Sequence, residues 1–275
     1  TSANDDREFI GSLPGGDDDF GAGRSDMGSD NVVVGKIANS LKLNEGAANN
    51  QFVCLDTEDE DNSQTCAGSG DSDVFSGSDS GTFWAEDDQG AIRSTSIWYN
   101  AVTTDNETYQ VIFEEGGGNG QSIYLFDDKI YGCTSRSNTA TCGIAETTAD
   151  AWHHVVLIWV DDGESYLYHD GALGHDDQTF TGRDHQKHSN PGALGKSQSS
   201  SALLGTDNNG GCCSFDGIID EFRVTNTQLP GDFIGNTYQA EKNPTNFVRE
   251  GIHLSETLSF TDDVDGERGA SSELS

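Results

Sequence analysis

His153, His154, His169 and Asp170 fall within one stretch, AWHHVVLIWVDDGESYLYHDGALGHDD (151–177). Imidazoles and a carboxylate this close in sequence could hold a metal ion or move protons as general acid and base. The surrounding residues are β-branched and aromatic, so strands must position these groups. Trp152–Val160 and Ser165–His169 read as two strands joined by DDGE. Side chains alternate across a strand, which puts Trp152, His154, Val156, Ile158 and Val160 on one face. His153, Val155, Leu157 and Trp159 take the other. The two adjacent histidines therefore point apart and do not share one ion. They are expected to be frame residues bonded to backbone at a sheet margin, with Trp152 in the core. Asp170-Gly171 closes the hairpin, glycine supplying positive φ and aspartate bonding the turn. A calcium ligand is the alternative role for Asp170.

A second acidic pair, Asp220-Glu221, sits in FDGIIDEFRVTN. Alternation sends the two carboxylates to opposite faces and places Arg223 beside Glu221, so a structural ion pair is expected. The sharper alternative is a calcium site in which Asp220 joins oxygens of the N-terminal arm. His185 and His188 have metal-compatible spacing in a polar loop, with no third ligand evident. Gly116–Gly120 is a turn and not a phosphate loop, because no Lys-Ser/Thr pair follows it.

Charge narrows the setting. The chain of 275 residues carries 48 acidic and 14 basic residues, a formal net charge of −34. Asp outnumbers Glu 32 to 16 and the acids are spread along the chain. Such a surface repels itself at low salt and is relieved by screening, which points to a protein adapted to molar salt. Nucleic acid and anionic membranes are excluded as partners. The longest apolar run, Val155–Val160, is too short to cross a bilayer, so no membrane insertion is expected.

Six cysteines suggest an oxidising, extracellular location. Local spacing favours Cys54–Cys66 and Cys133–Cys142, leaving Cys212 and Cys213 as an adjacent pair that could bridge to each other. Asn106 opens an N-x-[ST] sequon, a glycosylation candidate that agrees with secretion.

Many short β-branched or aromatic runs, divided by Gly, Asn and Asp turns, argue for an all-β sandwich or jelly roll. Residues 1–30 read as an acidic Gly/Asp-rich arm, 31–248 as one sandwich domain, and 249–275 as a Ser/Asp-rich tail or linker. Only Leu229–Lys242 looks helical, with Pro230 near its start and Pro244 beyond its end.

Three segments, in order, resemble one family. VGKIANSLKLNEG (34–46) is similar to the opening strand of laminin-G-like jelly-roll domains. WHHVVLIWVDDGESYLYHDGAL (152–173) resembles their W-H-H-V strand, turn and Y-x-D-G strand. FDGIIDEFRVTNTQLPGDFIGNTY (215–238) looks like their closing strand and short helix. The family usually has Gly where Ala38 sits and Val where His169 sits. The resemblance implies a concanavalin A-like β-sandwich with one short C-terminal helix. That fold also hosts glycosidases, but the E-x-D-x-x-E strand of β-glucan hydrolases has no match here, and no Gly-x-Ser-x-Gly elbow occurs. No enzyme is expected.

The resemblance implies an extracellular recognition or adhesion module, and the acidic charge places it on the surface of a halophilic microbe or of a virus infecting one. Its expected partner is a cell-surface glycan or glycoprotein, with calcium as the candidate cofactor. Trp84, Tyr99, Tyr109 and Asn119, with loops 176–199 and 206–213, are the candidate contacts, aromatic rings stacking on sugars. The alternative is a structural subunit of a virion spike, decoration or filament, packed against identical subunits.

Overall fold

The computed structural model describes residues 31–37, 39–43, 51–55, 92–104, 108–116, 118–174, 176–184, 192–197 and 213–243. Among them, two antiparallel sheets form a β-sandwich. One sheet has the order β1 (Val32–Val34), β2 (Asn39–Leu43), β13 (Gly217–Thr225), β4 (Ile92–Ala101), β9 (His153–Val160), β10 (Glu164–His169) and β11 (Thr179–Thr181). The other runs β3 (Val53–Cys54), β12 (Ala193–Leu194), β5 (Gln110–Glu115), β6 (Gln121–Phe126), β7 (Lys129–Arg136) and β8 (Thr139–Glu146). Neighbours far apart in sequence, such as β13 between β2 and β4, are what a jelly-roll connection requires. The chain divides into two compact units, Thr1–Lys242 and Asn243–Ser275, and all but Asn243 of the second lies outside the described residues.

Alternation builds the core. Ile97, Tyr99 and Ala101 of β4 and Val155 and Leu157 of β9 point inward to meet Ile112, Phe113, Ile123, Leu125 and Ile130 of the facing sheet. The outward residues of β4 and β9 are covered by α1 (Gly231–Lys242), a helix two residues shorter at its start than the sequence suggests. Pro230 precedes it, Asp232 lies in its first turn and Lys242 in its last, all favourable to its ends. Its buried pair Ile234 and Tyr238, one turn apart, rests on Val156, Ile158 and Trp98. Gly171 makes this docking possible: at φ 79°, a Cβ there would lie 2.7 Å from the Tyr238 ring.

The strand β13 departs from strict alternation. Glu221 sits at φ 50° in a bulge where the register with β4 shifts between Asp220 and Arg223. Ile219, Phe222 and Val224 all reach the core side in consequence. Asp220 and Arg223 pair with Trp98 and Ser96 respectively, and they share the outer face.

The Cys133–Cys142 disulfide joins directly opposed residues of β7 and β8. Cys213 is also disulfide-bonded. Cys66, Cys212 and the Cys54 side chain lie outside the described residues, so the other two expected pairings do too. No helix among the described residues is long and apolar enough to cross a membrane. Trp152 is only half-buried, preceding β9; among the described residues the fully buried tryptophans are Trp98 and Trp159.

Candidate functional site

Strands β4, β6, β8 and β10 end, and β5, β7, β9 and β13 begin, at one end of the sandwich. The connections there are tied by backbone bonds. Val102 N–H donates to Asp216 O, Asp150 N–H to Ala101 O, and Asp128 N–H to Thr104 O, at 2.9, 2.9 and 3.0 Å. Thr147 N–H donates in turn to Asp128 O at 2.9 Å. Between these loops lies an open depression of about 380 Å³ lined by Thr103, Thr104, Asp128, Thr147, Thr148 and Ala149. Asp127 and Asp128, at φ 52° and 55°, form the two-residue turn between β6 and β7, with both central residues left-handed. Thr104 Oγ1 donates to Asp128 Oδ1 at 2.6 Å, and Gln110 Nε2 holds Thr103 O at 2.8 Å.

Behind the depression stands the histidine cluster. Thr148 Oγ1 and His153 Nε2 are 3.0 Å apart, and His153 Nδ1 is 2.9 Å from Asp170 Oδ2. Asp170 Oδ1 accepts the His154 N–H at 3.0 Å. Burial alone would raise the Asp170 carboxyl, but the bonds from His153 and the His154 N–H, with the nearby imidazoles, hold it below its ordinary value. An ionised Asp170 only accepts, so His153 donates to it from Nδ1. Tyr99 OH shares bonds with Thr147 Oγ1 at 2.7 Å and His169 Nε2 at 3.1 Å. Burial brings His169 down to about 4, so its imidazole is neutral at pH 7.

One ligand atom from each of His153, His169 and Asp170 lies within 4.8 Å of the others. The bonds above already engage both nitrogens of His153, both oxygens of Asp170 and Nε2 of His169. The two rings also stack at 5.0 Å and 25°, so their in-plane lone pairs run side by side and do not converge on a point. Nitrogen donors suit transition ions and not calcium, which takes six to eight oxygens. Asp220 is likewise engaged: Oδ2 accepts the Lys36 and Ile37 N–H groups at 2.8 and 3.0 Å, and Oδ1 accepts the Glu221 N–H at 2.8 Å. Neither carboxylate stands in an oxygen cage among the described residues, and the N-terminal arm expected to complete the Asp220 site lies outside them. The expected ion pair is present, Arg223 bonding Glu221 and, at 2.6 Å, Glu241. His185 and His188 lie outside the described residues.

The histidines of the W-H-H motif do point apart, as alternation requires. They bond to side chains, however, and not to backbone carbonyls: His153 to Thr148 and Asp170, His154 to Ser96 Oγ at 2.8 Å. His154 lies under α1 beside Trp98 and Tyr238, where burial first and Arg223 second bring it down to about 4.

The three candidate contacts among the described residues do not assemble. Tyr99 is 0% exposed, an inward residue of β4, so it offers no ring to a sugar; it supports Thr147 from behind instead. Tyr109 is half-buried on the outer face of the six-stranded sheet, stacked on Phe126 at 4.4 Å. Asn119 lies at the opposite end of the sandwich, where its Oδ1 accepts the Ser137 N–H at 2.7 Å. Trp84, Asn106 and loop residues 206–212 lie outside the described residues. What sequence reasoning missed was a pair of threonine doublets, Thr103-Thr104 and Thr147-Thr148, each just after a strand that ends at the same pole. Their shared position was the available signal.

A laminin-G-type family model, described as the concanavalin A-like lectin/glucanases superfamily, matches residues 75–235. Among solved structures, similarity extends to one of botulinum neurotoxin type C, whose cell entry depends upon interaction with two ganglioside molecules. It is 12% identical, with a TM-score of 0.53, over 80% of this chain and 46% of that one. The binding domain of botulinum neurotoxin DC in complex with SialylT is 14% identical, with a TM-score of 0.52, over 77% of this chain and 45% of that one. The same binding domain in complex with rat synaptotagmin II is 13% identical, with a TM-score of 0.51, over 77% and 45%. At such identities the likeness is one of fold. The chain spans less than half the length of these structures. No curated protein matches the chain.

Proposed function

This chain belongs to the concanavalin A-like lectin/glucanases superfamily, by a match over more than half its length, and from that premise we propose that it is a non-enzymatic recognition module for surface carbohydrate. It acts outside the cell, on a halophilic microbe or a virus infecting one, and its partner is a cell-surface glycan or glycoprotein. The observation that carries this is the open depression of about 380 Å³ lined by threonine hydroxyls and one carboxylate. Hydroxyls and carboxylates fixed on bonded loops match the hydroxyls of a sugar, and the volume suits one or two rings. Glycan binding by neurotoxin domains of the same fold gives the proposal a precedent, not a proof, because fold and function part company readily.

The alternative of a structural subunit draws on β1, an edge strand among the described residues, where Val34 is 88% exposed. An apolar sheet edge invites pairing with another chain.

The test is binding to an array of microbial surface glycans at about 2 M salt, where the acidic surface is screened, with calcium and with chelator. Binding to a defined glycan supports recognition. Absence of binding by folded protein, with self-association in its place, supports the structural subunit. The contacts of Asp170 and Asp220 lead us to expect the same binding in calcium and in chelator.

A further inference from the structure

The depression has a hydrogen-bond polarity as well as a shape. Thr104 spends its one hydroxyl proton on Asp128 Oδ1. Thr148 Oγ1 lies 3.0 Å from His153 Nε2, on the ring whose Nδ1 faces Asp170. The Thr104 hydroxyl therefore turns lone pairs, and no proton, towards a ligand. Asp128 adds the only charge among the lining residues, and its Oδ2 has no intramolecular bond among those described. Lys129 is the adjacent cation in sequence, and it sits opposite Glu146 in the β7–β8 register. A lining whose one charge is a carboxylate attracts cations and repels anions, in a chain already at −34.

We infer that the depression selects hydroxylated ligands that carry a free ammonium, of the amino-sugar class, over neutral sugars, and that it rejects carboxylated or sulfated ones. An ammonium brings three donors and one positive charge to a site offering Asp128 Oδ2 and the lone pairs of Thr104. An N-acetyl group removes the charge and two of those donors. A sialic or uronic acid brings a second carboxylate towards Asp128 with no cation among the lining residues to receive it. The inference rests on the proposed carbohydrate function and names the sugar class for the same site. It also sets this chain apart from the neurotoxin neighbour solved with SialylT.

The experiment is titration of the full chain with glucosamine-terminated, N-acetylglucosamine-terminated and sialylated oligosaccharides, together with ethanolamine as a hydroxylated ammonium that is not a sugar. Each is measured at the lowest salt that keeps the chain folded and again at 2 M. The expected order is amine above N-acetyl by about five- to tenfold at the lower salt, the size of one weakly screened charge-assisted hydrogen bond. Sialylated ligand comes last, and the spread narrows at 2 M. Asp128→Asn is the paired variant: asparagine tolerates the left-handed turn position and still accepts from Thr104. It should bring the amine and N-acetyl ligands to within about twofold of each other.

Sialylated ligand binding as tightly as the amine, or a ratio unchanged in Asp128→Asn, overturns the inference while leaving carbohydrate recognition intact. Ethanolamine binding without any oligosaccharide would uphold the cation-selecting pocket and remove the glycan function. No binding of any ligand overturns both.

Discussion

Replacing Asp220 by alanine tests whether this carboxylate is a turn clamp or a metal ligand. Asp220 is 3% exposed, and its two oxygens accept three backbone N–H groups, from Lys36, Ile37 and Glu221. Gly35 belongs to the same clamp, since a Cβ there would fall 2.6 Å from Asp220 Oδ2. Asp220→Ala strips all three donors of their acceptor at about 1 kcal/mol each, a total of about 3 kcal/mol. The value is set below the usual range for bonds to a charged acceptor because the Lys36 and Ile37 amides are only partly buried. For a domain of this size the Tm should fall by about 6–12 °C. The assay is thermal unfolding at 2 M salt, followed by circular dichroism, with amide exchange at Lys36 and Ile37 read alongside. Faster exchange at those two amides should accompany the lower Tm. A loss under about 1 kcal/mol, or a wild-type Tm that calcium raises and Asp220→Ala abolishes, would refute the clamp.

Acid should weaken the fold through two buried histidines. His154 and His169 stand at about 4 in the folded chain against an ordinary value of 6.5. The unfolded chain thus takes up protons first as pH falls, so stability is full above about pH 6.5 and declines towards pH 4, by up to about 3 kcal/mol per histidine. Urea unfolding across that window should show it, and His169→Val should remove about half of the slope; a flat profile would contradict burial of neutral imidazoles. Gly171→Ala meets both a left-handed backbone and the Tyr238 ring, and should cost about 2–4 kcal/mol. The variant should also show weaker protection across α1, and wild-type stability would argue against this docking. Replacing both Cys133 and Cys142 by serine frees a short loop and should cost about 2–3 kcal/mol in denaturant.

The strand–turn–strand around His153 and Asp170 was legible because period-two alternation and a Gly turn leave one arrangement of faces. So was α1, marked by prolines on both sides. β13 was only half legible. The IIDEFRV alternation places its acids correctly only until the left-handed residue Glu221 resets the faces, and no local signal announces a bulge when the residue is not glycine. β8, rich in Thr, Ala and Gly, lacks the large β-branched run that marks its neighbours, and it is held by pairing with β7. Tyr99 and Tyr109 are not placed as sugar platforms for a related reason. Aromatic residues were chosen for their chemistry, but Tyr99 is worth more as buried area than as a sugar platform, and Tyr109 is stacked on Phe126. Thr103, Thr104, Thr147 and Thr148 carry no motif. They become a site only when antiparallel pairing brings two loops far apart in sequence to the same pole.

The most direct test of carbohydrate recognition at that pole is calorimetric titration of the tightest array glycan into wild type and a Thr103→Val, Thr148→Val double variant at 2 M salt. Valine keeps the shape and removes two hydroxyls from the lining. Loss of two hydrogen bonds predicts affinity at least about tenfold weaker, in a variant that circular dichroism shows to be folded. Wild-type affinity in the double variant, or no glycan bound by the wild type, would contradict the assignment of this depression as the binding site.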